Sequence, residues 1–170
     1  MKLVTDRFTL RQWLDSDAPR LAEIANNKKI YDNLRDAFPH PYSLKNAQEF
    51  ISAAKNSNTM FAIEIDGKAA GSIAFFPKDD VYRKSAEFGY YIAEEYWGKG
   101  IMTEVIKKIV EYAFENFNII RIHAEPFARN VGSRRVLEKA GFKLEGILKN
   151  SVVKNDIIED SCIYAILKGE

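Results

Sequence analysis

Residues 85–117, SAEFGYYIAEEYWGKGIMTEVIKKIVEYAFENF, change hydrophobic period halfway along. From about Ser85 to Ile92 the pattern predicts a strand. Beyond Gly98-Lys99-Gly100, the residues Val105, Ile106, Ile109, Val110, Ala113, Phe114 and Phe117 form one broad apolar helical face. The joint is Tyr96-Trp97-Gly98-Lys99-Gly100-Ile101-Met102-Thr103. Two glycines one residue apart let the backbone turn tightly and approach a ligand without Cβ interference. The helix that follows offers unpaired N–H groups and the positive end of its dipole, which suit a phosphate or pyrophosphate. Thr103 and Lys99 add a hydroxyl and a cation. A dinucleotide fingerprint would need a third small residue at Thr103, and a Walker A loop a terminal Gly-Lys-Ser/Thr. Neither is present. A strand-to-helix turn without a ligand stays open on this stretch alone.

Outward from the joint, the elements on either side decide the fold class. Phe8 and Leu10 alternate with Thr9 and Arg11 as in a strand. Asp15-Ser16-Asp17 opens a helix with Pro19 in its first turn and Leu21, Ile24 and Ala25 on one face. Ser43 reads as the N-cap of a second helix carrying Ala47, Phe50, Ile51 and Ala54. Phe61, Ile63 and Ile65 alternate up to the hairpin signal Asp66-Gly67, and Ala70–Phe75 returns. A turn at 77–80 leads into the strand at 85. After the long helix, Ile120–Glu125 reads as a strand and Asn130–Ala140 as a helix stopped by Gly141. Phe142–Leu148 and Ser161–Leu167 read as the last strands. Tight turns make antiparallel pairs, so the expected fold is α+β with a mixed, mostly antiparallel central sheet flanked by helices.

Composition agrees with one domain over residues 1–170: 46% of residues are hydrophobic, 29% charged, and Gly and Pro number only 9 and 5. With 25 basic against 24 acidic residues, the net charge is +1, which argues against a bulk nucleic-acid partner. Cys162 is the single cysteine, so neither a disulfide framework nor a Cys-rich zinc site is available, and no metal is expected. No apolar run approaches the length of a membrane span, and the first residues lack a leader pattern. A cytoplasmic protein with no membrane partner is the expectation.

A second motif gives the turn its context. Residues 130–142, NVGSRRVLEKAGF, lie on another strand-to-helix connection some way downstream. GYYIAEEYWGKGIMTE resembles motif A of the GNAT acetyltransferase superfamily, and NVGSRRVLEKAGF its motif B. GFKLEGILKN followed by Glu159-Asp160 resembles the RimJ/RimL-like branch, whose members acetylate N-terminal amines of ribosomal proteins. The resemblance implies acetyl-CoA as cosubstrate. Tyr91, Ile92 and Ala93 would pair with its pantetheine arm. Gly98, Lys99, Gly100, Ile101, Met102 and Thr103 would hold the pyrophosphate, largely through main-chain N–H groups. Asn130 would hydrogen-bond the pantetheine, and Ser133 would reach the thioester sulfur. Glu95 stands where the family usually has Gln or Arg, and its carboxylate is expected to face solvent. Relatives are often dimers, so the resemblance implies a homodimer, although no interface stripe marks one in the sequence.

Transfer of acetyl to an amine needs the neutral nucleophile. At pH 7 a side-chain ammonium of pKa ~10.4 costs roughly 4–5 kcal/mol to neutralise, against about 1–1.5 kcal/mol for an α-amine of pKa ~8. Glu87 is the candidate general base, since relatives often place a carboxylate there that works through water; an ordinary cross-strand charge is the alternative. Leu137 occupies the position of a tyrosine that many relatives use as the acid, so Ser133 is the substitute candidate, with Tyr164 behind it. Val152 matches a glutamate given the base role in RimL-type enzymes. Arg35, Asp36, Phe38, His40 and Tyr42, in the loop before the second helix, are candidates for binding the acceptor amine; a rigid structural loop is the alternative. His123 and Cys162 read as structural strand residues. The acceptor is a peptide N-terminus by branch resemblance, or a polyamine, amino sugar or amino acid. A non-catalytic acyl-CoA-binding module is the rival from another class.

Overall fold

Asp66 (φ 50°) and Gly67 (φ 74°) both take left-handed backbone conformations, as a two-residue hairpin connection demands. They join β3 (Met60–Ile65) to β4 (Lys68–Pro77) in a computed structural model that describes residues 2–169. Around this hairpin lie β1 (Lys2–Val4), β2 (Thr9–Arg11), β5 (Ser85–Ile92), β6 (Arg121–Ala124), β7 (Lys143–Lys154) and β8 (Ile157–Leu167). They form one eight-stranded sheet in the order β1-β2-β3-β4-β5-β6-β8-β7. The pairs β1–β2, β2–β3, β3–β4, β6–β8 and β8–β7 are antiparallel, and β5–β6 is parallel. The mixed, mostly antiparallel α+β fold is therefore as expected. Among the described residues no helix is long and apolar enough to cross a membrane.

The chain gathers into two compact units. The first comprises residues up to Ala74 together with Tyr90–Val105, and the second Phe75–Gly89 with residues from Ile106 onward. In the first, α1 (Ala18–Ala25) follows a 3-10 turn at Asp15–Asp17, with Pro19 in its first turn. A short α2 (Lys28–Tyr31) follows, then α3 (Leu44–Ala54). Ser43 caps α3, its Oγ accepting the Asn46 N–H at 3.1 Å. Trp13, Leu21, Ile24, Tyr42, Ile51 and several alanines form the core, and Trp13 meets Phe50 edge-on at 5.4 Å. Beside it Arg11 joins three segments: its guanidinium pairs with Asp17 at 2.7 and 2.9 Å and with Glu64, while Asp17 also accepts the Leu14 N–H.

In the second unit the end of β4 meets α4 (Ile101–Asn116) and the turn after it, where Phe75 lies edge-on to Phe117 at 4.9 Å. Phe88 of β5 stacks on Phe142 at 5.7 Å. The helix α5 (Val131–Lys139) ends at Gly141, whose φ of 100° turns the chain so that the Phe142 N–H reaches the Leu137 carbonyl at 3.0 Å.

Two elements depart from the sequence reading by omission and three strands by length. The strand β1 and the helix α2 are too short to carry a period. The return strand runs over 68–77 rather than 70–75. The last hairpin continues past Leu148 to Lys154 and re-enters at Ile157 through Asn155 (φ 50°) and Asp156 (φ 61°). The register shift between Leu148 and Val152, with Asn150 at φ 52°, interrupts the alternation and conceals the strand's continuation.

Candidate functional site

The first unit builds the turn. Gly71 in β4 lies so close to β5 that a Cβ there would stand 2.4 Å from the Tyr91 carbonyl oxygen and 2.9 Å from the Ile92 Cα. The adjoining Ala93 N–H donates to the Ala70 carbonyl at 2.7 Å. The chain then makes a 3-10 turn over Glu94–Tyr96, and the Trp97 indole N–H returns to the Ile92 carbonyl at 2.8 Å. Gly98 and Gly100 take φ values of 71° and 76° before α4 begins at Ile101. A Cβ on Gly98 would meet nothing within 4 Å, so this glycine is required by conformation rather than by crowding. Ile101 and Met102 bury their side chains and present only main chain, while Thr103 is half-buried. The Lys99 ammonium lies over the Tyr96 ring, 5.6 Å from its centre.

The carboxylates of this turn are committed to cations. Glu95 is ion-paired with Arg20, which also contacts Glu23 at 3.0 Å. Its charge is thereby balanced locally, a partnership beyond the solvent exposure expected of it. Glu94 pairs with Lys29 and accepts from the Asn27 amide at 2.9 Å, and these hydrogen bonds hold its carboxyl below the usual range. Arg7 donates to the Lys99 carbonyl at 2.6 Å and pairs with Glu104 in the first turn of α4.

Among the acceptor-loop candidates, Phe38 packs on Tyr42 at 5.0 Å and edge-on to Tyr91 at 5.3 Å. Tyr42 is buried in the core, which raises its phenol to about 12. Burial, followed by the nearby Tyr42, also pushes the Tyr91 phenol well up. His40 stacks on Tyr31 at 4.9 Å, and the Tyr31 hydroxyl is 3.5 Å from Asp36. Arg35 is exposed, and its carbonyl accepts the Phe38 N–H at 3.0 Å. The structure thus brings Phe38 and Tyr42 to the strand carrying Tyr91, and gathers His40 and Asp36 around Tyr31.

In the second unit Glu87 faces His123 across the parallel β5–β6 ladder and accepts from the Lys78 ammonium at 2.6 Å. The ladder runs from Ser85 to Glu87, and β5 continues to Ile92. His123 is half-buried, and its Nδ1 is enclosed without a hydrogen-bond partner. Burial lowers its basicity; Glu87 opposes that shift, Arg121 and Lys78 reinforce it, and Glu125 opposes it. Asn130 caps α5, its Oδ1 accepting the Ser133 N–H at 3.2 Å. Ser133 sits half-buried in the first turn of α5. Leu137 is completely buried. The buried Tyr164 hydroxyl donates to Glu138 at 2.7 Å and accepts from Arg134 at 3.1 Å, which occupies it as a structural link to α5. Val152 lies opposite Glu159 in the last hairpin, and Cys162 is buried.

Arg7, Arg20, Lys78 and Gly71 join the site only through the fold. Only Gly71 carried a signal, as an isolated glycine inside a strand, which often marks a close backbone approach. The arginines and Lys78 meet their partners through the fold, with no local motif to announce them.

Comparison with known proteins gives the geometry a lineage. The family model for the acetyltransferase (GNAT) domain matches residues 7–143. The "Putative ribosomal N-acetyltransferase YdaF" of Bacillus subtilis is 34% identical over 98% of this chain and 94% of its own length. The "Probable N-acetyltransferase YjcK" of the same organism is 41% identical, over 62% of this chain and 58% of its own. Spermidine N(1)-acetyltransferase of Escherichia coli is 31% identical over 58% of this chain and 53% of its own. A GNAT acetyltransferase structure from Bacillus anthracis superposes with a TM-score of 0.87 at 22% identity, both chains fully covered. The self-immunity acetyltransferase MccE, solved with acetyl-CoA and AMP, gives 0.82 at 26% identity, covering 96% of this chain and 93% of its own. RimJ of Mycobacterium smegmatis, solved with a CoA disulfide, gives 0.83 at 24% identity, covering 95% and 82%. Coverage from residue 7 to residue 143 by one family, together with a close relative along nearly the whole length, makes this chain a member of the GNAT N-acetyltransferases.

Proposed function

We propose that the protein transfers the acetyl group of acetyl-CoA directly to the α-amine of a peptide or protein N-terminus, with residues 1–170 acting as one acetyltransferase domain. The observation that carries the cosubstrate assignment is the turn: Gly98 and Gly100 both in left-handed conformations at the start of α4, an arrangement that points main-chain N–H groups at an anion. In the first unit, Gly98, Lys99, Gly100, Ile101, Met102 and Thr103 bind the pyrophosphate through main chain, and Tyr91, Ile92 and Ala93 pair with the pantetheine. Similarity to MccE and RimJ, solved with acetyl-CoA and a CoA disulfide, supports the same cosubstrate. In the second unit, the Asn130 amide donates to the pantetheine, and the Ser133 hydroxyl assists the departing sulfur.

In the reaction a C–N bond forms as the amine attacks the thioester carbonyl, and the C–S bond breaks. Glu87 takes the amine's proton through a water, and the CoA thiolate leaves with assistance from Ser133. Positioning supplies much of the rate. Glu87 is already paired with Lys78, and such a carboxylate suits an acceptor that yields its proton at low cost. An α-amine costs about 1–1.5 kcal/mol at pH 7, against roughly 4–5 kcal/mol for a side-chain amine. The near full-length similarity to YdaF points the same way. Phe38, Tyr42 and His40, with Arg35 and Asp36, form the acceptor end. The partial similarity to spermidine N(1)-acetyltransferase favours a second reading, a polyamine acceptor.

The test is acetyl-CoA-dependent thiol release with a panel of peptide N-termini, polyamines, amino sugars and amino acids, with Glu87→Gln in parallel. Turnover on peptides, depressed about 100-fold or more in the variant, is expected for loss of a general base. Turnover confined to polyamines would replace the acceptor assignment. Turnover unaffected by the substitution would remove Glu87 from the mechanism.

A further inference from the structure

Arg7 lies on the N-terminal hairpin, far in sequence from the glycine turn, yet makes two contacts with it. One guanidinium nitrogen donates to the Lys99 carbonyl, between the two left-handed glycines, at 2.6 Å. The other pairs with the Glu104 carboxylate in the first turn of α4. The same nitrogen is 4.0 Å from where a Cβ on Gly100 would stand. The presentation of Arg7 is itself built: Thr5 Oγ1 accepts the Arg7 and Phe8 N–H groups at 3.2 and 3.0 Å and donates to the Phe8 carbonyl at 2.9 Å. This ties the bend between β1 and β2 below the arginine.

Each contact has an electrostatic consequence for anion binding. Drawing the Lys99 carbonyl toward Arg7 fixes the orientation of the Lys99–Gly100 peptide plane, and hence of the Gly100 N–H, which points away from Arg7. Glu104 is a negative charge in the first turn of a helix. That position is favourable for the helix itself but repels a second anion bound at the same end. Arg7 cancels that charge where a pyrophosphate would otherwise meet it. Resting on the reading of the turn as the pyrophosphate site, we infer that Arg7 is a positioning residue for cosubstrate binding: it holds the Gly98–Gly100 main chain in its anion-accepting conformation and neutralises Glu104. The N-terminal hairpin is thus a determinant of acetyl-CoA affinity, although it supplies no group to the transfer itself.

The experiment measures CoA affinity by calorimetry and its displacement by inorganic pyrophosphate, for wild type, Arg7→Ala, Arg7→Lys, Glu104→Gln and the double variant Arg7→Ala/Glu104→Gln. Arg7→Ala is expected to weaken CoA and pyrophosphate alike by about tenfold, the size of one charge-assisted hydrogen bond. Arg7→Lys, which cannot serve carbonyl and carboxylate with one planar fork, falls between. Adding Glu104→Gln to Arg7→Ala restores part of the affinity by removing the uncancelled charge, a recovery that general destabilisation would not produce. With turnover, the loss falls on KM for acetyl-CoA and leaves kcat at saturation near wild type. CoA affinity within twofold of wild type in Arg7→Ala would overturn the inference. So would a loss that Glu104→Gln does not relieve. A wild-type protein that binds CoA but shows no competition by pyrophosphate would instead overturn the reading of the turn.

Discussion

At the scale of single residues, the tightest constraint on the site is a glycine outside the motif. A methyl group at Gly71 would lie 2.4 Å from the Tyr91 carbonyl oxygen and 2.9 Å from the Ile92 Cα, and these two closest atoms are backbone. Because backbone cannot rotate away, Gly71→Ala must push β5 outward just where the pantetheine arm is proposed to pair. Overpacking of this kind costs about 1–3 kcal/mol, and the displacement is expected to weaken CoA binding at least tenfold. Thermal unfolding with CoA calorimetry on the variant reads both effects; wild-type affinity would separate the Tyr91 carbonyl from cosubstrate binding. Asn130 makes the complementary case, because the side chain that caps α5 is also the one proposed to hold the pantetheine. Its Oδ1 caps α5, so Asn130→Ala is expected to lose about 1 kcal/mol of stability. Asn130→Asp keeps the cap but removes the Nδ2 donor. Near wild-type stability with reduced CoA affinity in Asn130→Asp would assign the amide to the ligand, whereas unchanged affinity would leave Asn130 a cap alone.

At the scale of elements, what the sequence made legible and what it concealed have separate physical causes. The hairpin at Asp66-Gly67, the α3 cap at Ser43 and the stop at Gly141 depend on local backbone chemistry, and each stands where local chemistry puts it. The turn from β5 into α4 was readable for the same reason: two glycines and a change of period fall within one short stretch. The extension of β7 was concealed because the bulge at 148–152 breaks the alternation that reveals a strand. The charge partners of the turn could not be read, since Arg7, Arg20 and Lys29 meet Glu104, Glu95 and Glu94 only after folding. Arg11 belongs to this concealed class and carries a stability prediction. It links β2, the turn before α1, and β3 through Asp17 and Glu64, and the Arg11 and Asp17 side chains are 11% and 8% exposed. Replacing Arg11 by Met would leave the Asp17 charge buried without its bidentate partner, at about 3–5 kcal/mol. Arg11→Met/Asp17→Leu, which removes both charges, is expected to recover much of that loss. Urea denaturation of the single and double variants measures the cycle, and additive losses would show that the pair is not coupled.

At the scale of the whole molecule, a net charge of +1 leaves little overall electrostatic field, so the response to pH is set by individual groups. His123 is the group whose shift falls in the near-neutral range. Its folded-state basicity is depressed below the ordinary value of 6.5, first by burial and then by Arg121 and Lys78, with Glu87 and Glu125 opposing. In the range below 6.5 the unfolded chain therefore binds a proton that the folded chain resists, and stability falls as pH is lowered. The depressed carboxyls act in a different range. Hydrogen bonds from Arg121 to Glu145 and from Lys149 to Asp160 favour the ionised forms, so their contribution is present above about pH 4.5 and is lost on further acidification. The two effects are separable by substitution. Wild type should lose stability from pH 7 to pH 5.5, and His123→Gln, which cannot titrate, should show a clearly flatter dependence there while keeping the further loss below about pH 4.5. Urea unfolding across that range measures the slope directly, independent of any uniform offset caused by replacing the imidazole. An unchanged slope in His123→Gln would mean that another group releases the proton, and the enclosed Nδ1 would then have no part in the acid response.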